Sequence, residues 1–136
     1  MASKNLILIV EDNEDFQNLY GMLAEAAGFA VEAIYDGEEA LQRLEREPIP
    51  DMVLLDSRLP HATGDEILLA ARAHEKWSLV PIYVITADLR GAQRNRTFAP
   101  GTPHATGVIE KGAESIRKLR ELFAQFHEKP ADPISS

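Results

Sequence analysis

Five side chains in this sequence have the types and positions to bring a phosphoryl group and a divalent cation to one point. Asp56 ends the apolar run Met52-Val53-Leu54-Leu55, and Pro60 and Gly64 follow it. Glu11 and Asp12 end a second run, Leu6 to Val10, while Thr86 and Lys111 lie at the ends of two more. Continuous apolar runs of this length suit strands buried on both faces. If the strands are parallel, their ends meet on one edge of the sheet, where open α/β folds place ligands and chemistry. Three carboxylates brought together repel one another, and at least one has a raised pKa. A hard divalent cation relieves that repulsion. Mg²⁺ takes oxygen ligands, keeps several waters and usually binds beside a phosphate. Lys111 supplies a point charge for a phosphoryl oxygen, and Thr86 supplies a hydroxyl. Together these are the parts for phosphoryl transfer to an aspartate carboxylate. Taken alone, Asp56 is an ordinary turn residue; the other strand ends set it apart.

The elements that must position these groups follow an alternating pattern. The chain has 136 residues, 45% of them apolar, which suits one domain with its own core. It has no cysteine, which excludes disulfides and thiolate metal sites and fits a reducing cytosol. The run Leu6 to Val10 is too short to span a membrane or form a signal-peptide core. A formal net charge of −8 disfavours binding to a nucleic-acid duplex. Strands are expected over Leu6 to Val10, Ala30 to Ile34, Met52 to Leu55, Pro81 to Ile85 and Gly107 to Glu110. Asp12 or Asn13 caps a first helix whose inner face is Phe16, Leu19, Tyr20 and Leu23, and Gly28 ends it. Asp36 with Glu39, and Thr63 with Glu66, have capping-box spacing for two more helices. The first of these buries Ala40, Leu41 and Leu44 and stops before Pro48 and Pro50. The second buries Ile67, Leu68 and Ala71, with Trp77 packed at its end. A last helix carries the stripe Ile116, Leu119, Leu122, Phe123 and Phe126. Between Leu89 and Thr106, Pro100, Gly101 and Pro103 leave room only for a short helix, about Gly91 to Phe98. The class is therefore α/β, a five-stranded parallel sheet with helices on both faces.

In these residues the chain resembles the receiver domains of two-component response regulators, of the chemotaxis-regulator-like kind. The acidic pair is Glu11-Asp12, the phosphoacceptor with its trailing residues is Asp56…Pro60…Gly64, the switch hydroxyl with its small neighbour is Thr86-Ala87, and the lysine is Lys111. The resemblance covers about Asn5 to Phe126. It implies the flavodoxin-like strand order 2-1-3-4-5 and a receiver domain over residues 1–127; Pro130 and Pro133 make 128–136 an expected disordered tail. It also implies roles. Asp56 takes a phosphoryl group from a phosphohistidine on a histidine kinase or phosphotransfer protein. Asp12, Asp56 and the backbone carbonyl of Arg58 hold Mg²⁺, with Glu11 acting through water. Thr86 and Lys111 hold the phosphoryl oxygens. The family's acyl phosphate hydrolyses, so the protein is expected to be a transiently modified cytoplasmic signalling module, not an enzyme. With no output domain after Phe126, it is expected to act by binding a protein target.

The sequence departs from the family pattern in three places. Glu11 replaces an aspartate, and its longer arm still reaches a water on the metal. Gly112 follows the lysine where proline in a cis peptide is usual; a cis bond before a non-proline costs about 2.5–4 kcal/mol, so a trans bond is expected. Val108 stands where a tyrosine or phenylalanine usually swings inward as the switch hydroxyl moves. Valine cannot make that swing, and the loop Phe98 to Thr106 is expected to rearrange in its place. Arg58 and Asp88, each two residues beyond a site residue, are candidates for an ion pair across the entrance that slows hydrolysis; the alternative is that both are solvated.

Other candidates carry less. His61, His74, His104 and His127 lack metal-ligand spacing. Arg90, Arg94 and Arg96, and the charged side of the last helix with Arg117, Lys118 and Glu121, read as solvated faces before partner patches. A phosphorylation-independent interaction module on the same fold is the main competing function, favoured by Val108 and Gly112. A dehalogenase-like phosphatase needs a second acid where Arg58 stands. A flavodoxin needs a glycine- and hydroxyl-rich loop where the chain has Glu11 to Asp15, which would repel a phosphate.

Overall fold

The structure is a computed structural model that describes residues 4–94 and 105–128. Strands β1 (Leu6–Val10), β2 (Ala30–Ile34), β3 (Met52–Asp56), β4 (Ile82–Thr86) and β5 (Gly107–Glu110) alternate with helices α1 (Glu14–Ala26), α2 (Gly37–Arg43), α3 (Gly64–Ala73), α4 (Leu89–Arg94) and α5 (Ser115–Glu128). The strands form one sheet in the order β2-β1-β3-β4-β5, with every pairing parallel.

The apolar runs are continuous because helices cover both faces. Ile7, Ile9, Met52, Leu54 and Ile85 pack with Tyr20, Leu23 and Ala24 of α1 and with Leu119 and Phe123 of α5. The alternate residues Leu8, Val10, Val53, Leu55 and Val84 pack with Ala40 of α2 and with Ile67, Leu68 and Ala71 of α3. Side chains alternate across a strand, so each strand needs an apolar residue at nearly every position.

Capping follows the expected residues. Asn13, Asp36 and Thr63 are N-caps, and Thr63 with Glu66 completes a reciprocal box. Helix α2 stops at Arg43, ahead of Pro48. Strand β3 runs one residue further than expected, to Asp56, while β4 starts at Ile82, after Pro81. Helix α4 begins at Leu89, earlier than the expected Gly91, because Asp88 Oδ1 accepts the Gly91 N–H at 3.0 Å and starts the turn. Trp77 is buried beyond the end of α3.

The α1 face differs from its sequence reading. Phe16 is 37% exposed, while Gln17 is buried at 3%. Helical spacing alone places Phe16 inside. At this end of the helix Gln17 turns inward to three backbone carbonyls, and Phe16 is left half-exposed, stacked on Tyr20 at the rim of the core.

The expected rearranging loop lies outside the described residues except for Ala105 and Thr106. So do Arg96, His104 and the tail from Lys129, as well as the side chains of Arg94 and His127. Among the described residues, no helix is long and apolar enough to cross a membrane.

Candidate functional site

The strand register brings the predicted residues to one edge. Val10 pairs with Leu55, Asp56 with Ile85 and Thr86 with Glu110, so Glu11, Asp56, Thr86 and Lys111 cluster at the carboxyl ends of β1, β3, β4 and β5. Two backbone bonds lock this edge: Glu11 N–H to Ile34 O at 2.9 Å and Lys111 N–H to Thr86 O at 2.8 Å.

The loop after Asp56 is held against α2 and α3. Gly37 N–H donates to Pro60 O at 3.0 Å, and the exposed His61, at φ 72°, pairs with Asp36. Gly64 lies so close that a Cβ there would stand 2.6 Å from Asp56 O. Any larger residue would push away the backbone that presents the carboxylate, so this glycine is a packing requirement of the site.

Carboxylate oxygens of Glu11, Asp12 and Asp56 all lie within 4.8 Å of one another. Glu11 and Asp56 are buried at 1% and 4%, and Asp12 is exposed. Lys111 Nζ sits 3.0 Å from Glu11 Oε1 and 3.3 Å from Asp56 Oδ2, with its hydrogen bond directed at Asp56. Asp56 Oδ1 accepts the Arg58 N–H at 3.2 Å, and Glu11 Oε2 accepts the Asn13 N–H at 3.0 Å. Glu11 Oε1 is buried and is met by the Lys111 ammonium as an ion pair. One ammonium thus serves two buried carboxylates. The oxygen donor set, with two buried carboxylates sharing one ammonium, fits a hard divalent cation with retained waters.

Burial is the main cause that pushes the Glu11 carboxyl from 4.5 up to about 7; the Asp56 charge adds to it, and the bonds from Asn13 and Lys111 oppose it without prevailing. The folded state therefore keeps a proton that the unfolded chain sheds between about 4.5 and about 7. Stability falls as pH rises through that window. In metal-free protein, Glu11→Gln is expected to flatten this fall, so its denaturation midpoint changes less between about pH 5 and about pH 8 than that of the wild type. Parallel slopes for the two proteins would refute it.

Three features of the site escaped the sequence. Gln17 Nε2 donates to Ile9 O, Glu11 O and Ile34 O at 3.0–3.1 Å, bracing the ends of β1 and β2 under the acidic pair. Phe16 stacks on Tyr20, and its ring lies 4.6 Å from Lys111 Nζ, a cation–π contact that helps hold the amine over the cluster. The Tyr20 hydroxyl is buried without a hydrogen-bond partner; burial first, then the Glu11 and Asp56 charges, push its pKa up. The only sequence signal was an aromatic pair at helical spacing, and that reads equally as core.

Thr86, buried at 2%, is engaged by Ser57 Oγ and by the Asp88 N–H, each at 3.0 Å. The candidate ion pair between Arg58 and Asp88 does not form. Arg58 is exposed, and the Asp88 carboxylate is occupied with the Gly91 N–H at the start of α4. The local demand for a helix cap outweighs a solvent-exposed pair worth under about 1 kcal/mol. Gly112 follows Lys111 through a trans bond; among the described residues only Glu47–Pro48 is cis.

Comparison with known proteins agrees with this geometry. The response regulator receiver domain family matches residues 7–124. The phosphate regulon transcriptional regulatory protein PhoB of Rhizobium meliloti is 37% identical over 95 residues, covering 70% of this chain and 41% of that protein. The polar-differentiation response regulator DivK of Brucella ovis is 37% identical over 81 residues, covering 60% of this chain and 65% of that protein. The match thus spans less than two thirds of the length of either relative. Among solved structures, the receiver domain of the sensor histidine kinase PA1611 of Pseudomonas aeruginosa, with magnesium coordinated in its active-site cleft, superposes with a TM-score of 0.77 at 28% identity, over 90% of this chain and 97% of that one. The match over residues 7–124, with a parallel sheet that gathers three carboxylates, a threonine and a lysine at one edge, places this chain in the response regulator receiver domain family.

Proposed function

We propose that this chain is a receiver whose Asp56 accepts a phosphoryl group from the phosphohistidine of a histidine kinase or phosphotransfer protein, and that it signals by binding a protein target. The observation that carries this reading is the pairing of Lys111 with both Asp56 and Glu11 inside a three-carboxylate cluster. That arrangement holds a nucleophile, a counter-charge and cation ligands within reach of one another.

In the transfer, an Asp56 oxygen attacks phosphorus and an O–P bond forms. The P–N bond breaks, and its electron pair stays on the imidazole nitrogen, which takes up a proton. Lys111 meets the charge on the phosphoryl oxygens, and Thr86 donates a hydroxyl to them. Asp12, Asp56 and the Arg58 carbonyl would hold Mg²⁺, with Glu11 acting through water. Bound there, Mg²⁺ supplies charge neutralisation for the phosphoryl oxygens. The Phe16 ring over Lys111 and the Gln17 brace hold the two arms of the site in place.

The receiver unit spans residues 1–127, and the protein works in the cytoplasm. It acts as a transient phosphoacceptor that hydrolyses its own acyl phosphate. The intact acidic cluster favours this over a module that ignores phosphorylation. Incubation with a small phosphodonor and Mg²⁺ is expected to add one phosphoryl group by intact mass, and chelation of the metal to prevent it. No gain in either sample, or equal gain in both, would refute the reading.

A further inference from the structure

The loop from Ser57 to Thr63 is pinned at three places. At its start, the Arg58 N–H donates to Asp56 Oδ1 at 3.2 Å and the Ser57 N–H to Ile85 O at 3.0 Å. At its end, the Gly64 N–H donates back to Ser57 O at 3.3 Å, which closes the loop on itself. Its middle rests on the corner between β2 and α2. There the Gly37 N–H donates to Pro60 O at 3.0 Å, and a Cβ at Gly37 would stand 2.2 Å from Ala62 O, so the two backbones touch. His61, between these contacts, pairs with Asp36. Arg58 belongs to the stretch of chain between the pinned start and the pinned middle.

The pair is placed to titrate. Asp36 uses Oδ2 to cap α2 at the Glu39 N–H and turns Oδ1 to His61 Nδ1. A carboxylate only accepts, so Nδ1 carries a proton, and Nε2 is the nitrogen that gains or loses one. The His61 side chain is 71% exposed, so water reaches the ring. The Asp36 hydrogen bond, with the Asp36 and Glu38 charges, raises the His61 pKa above its ordinary 6.5. From α3 the first-turn acids are Asp65 and Glu66, and Glu66 is held in its capping box by Thr63; Arg58, on the loop itself, is exposed. The pair is therefore complete below about 6.5 and weakens as pH rises through the raised value. His61 also sits at φ 72°, left-handed backbone that a residue with a Cβ keeps only where its neighbours hold it.

We propose that His61 is a positioning residue of the cation site: paired with Asp36, it clasps the loop after Asp56 to the β2–α2 corner, and this clasp, firmer in acid, holds the Arg58 backbone ready for the divalent cation. This rests on the cation site proposed above, in which the Arg58 carbonyl is a ligand. It makes cation affinity depend on a proton bound outside the ligand set.

The test is Mg²⁺ alone, titrated into the full chain and followed by NMR. At about pH 6, His61→Asn is expected to bind the ion about twofold to fivefold more weakly than the wild type, the range of an exposed ion pair. Asparagine accepts left-handed backbone, so this change removes the partner without straining the turn. At about pH 8.5 the loss is expected to shrink, because the wild-type imidazole is then neutral. His61→Arg, charged throughout, is expected to match the wild type at the lower pH and to bind more tightly than it at the higher. Glu11 titrates in every one of these proteins, so each comparison is made at a single pH. Linkage gives a second reading from the His61 ring protons. Mg²⁺ saturation shifts the His61 pKa in the wild type and in Asp36→Asn, where the charge of the ion acts but the clasp does not. The wild-type shift is expected to lie higher by about 0.3–0.7 pH unit, the logarithm of the same factor. Equal binding by wild type and His61→Asn at the lower pH, an equal loss at both pH values, or the same pKa shift in wild type and Asp36→Asn overturns the clasp. A wild type that binds no Mg²⁺ would instead overturn the cation site itself, and that result shows before any variant is made.

Discussion

Asp56→Asn is expected to gain no phosphoryl group under conditions in which the wild type gains one. Asparagine keeps the size and planarity of the side chain, and its oxygen can still accept the Arg58 N–H that Asp56 Oδ1 accepts at 3.2 Å. What it loses is the charge. A neutral amide oxygen is a poor nucleophile toward phosphorus, and covalent catalysis depends on an activated one. The substitution also takes one negative charge out of the cluster and leaves Lys111 paired with Glu11 alone. One contributor to the raised Glu11 carboxyl disappears, although burial, the larger one, remains. The variant is therefore expected to fold and to melt at or above the wild-type temperature. Intact mass after phosphodonor treatment, with a thermal scan on the same sample, separates lost chemistry from lost structure. A full mass gain in Asp56→Asn would place the acceptor elsewhere and refute the assignment.

The largest expected effect on stability lies at the opposite end of the sheet. Arg43 is 1% exposed, yet four of its five guanidinium N–H groups are engaged. Nε and Nη2 meet the two Glu32 oxygens at 2.9 and 3.2 Å, Nη1 donates to Arg46 O at 2.9 Å and Nη2 to Pro48 O at 2.6 Å. The charged group also lies 5.6 Å from the ring centroid of buried Trp77. It binds the end of α2 to β2 and to the turn before β3. Arg43→Ala leaves a carboxylate and two carbonyls without this partner and removes packing from the Trp77 ring. Breaking a buried pair on one side costs about 3–5 kcal/mol. Glu32 keeps access to water, with 31% of its side chain exposed, so the lower end, about 3 kcal/mol, is expected. Arg43→Lys keeps the charge but not the fork, and should fall between. Denaturant midpoints check the order. Phosphoryl uptake by the folded fraction is expected to stay at the wild-type level, because Arg43 touches no site residue. A loss under about 1 kcal/mol would show that the guanidinium is replaceable by water.

What could be read without coordinates was what depends on neighbours along the chain. Leu6–Val10 and Met52–Leu55 are recognisable as strands because both faces are covered and nearly every position must be apolar. Asn13, Asp36 and Thr63 are recognisable as caps because the amide each one satisfies lies within three residues of it. Once the strands are parallel, the strand-end residues Glu11, Asp56, Thr86 and Lys111 must share an edge.

Phe16 and Gln17 mark where that reasoning stops. Helical spacing says which residues share a face, but not where the face runs off the sheet. Gln17 serves the carbonyls of Ile9, Glu11 and Ile34, two of them on β1 and β2, and only the packed helix brings these together. The candidate Arg58–Asp88 pair gave way to its solvated alternative for a similar reason. Opposite charges at mirrored positions suggest attraction, but Asp88 had a nearer donor in the first turn of α4.

The sequence by itself determined the class of fold, the strand ends that carry chemistry and the kind of chemistry those side chains can do, because periodicity, capping and residue type are local. The tertiary structure alone decided which oxygen meets which donor. It put one lysine between two buried carboxylates, raised Glu11 through burial, sealed Arg43 beneath Trp77 and set Ser57 against Thr86. Hydrogen bonds and desolvation act over a few ångströms, and only the folded chain sets those distances between residues far apart in sequence.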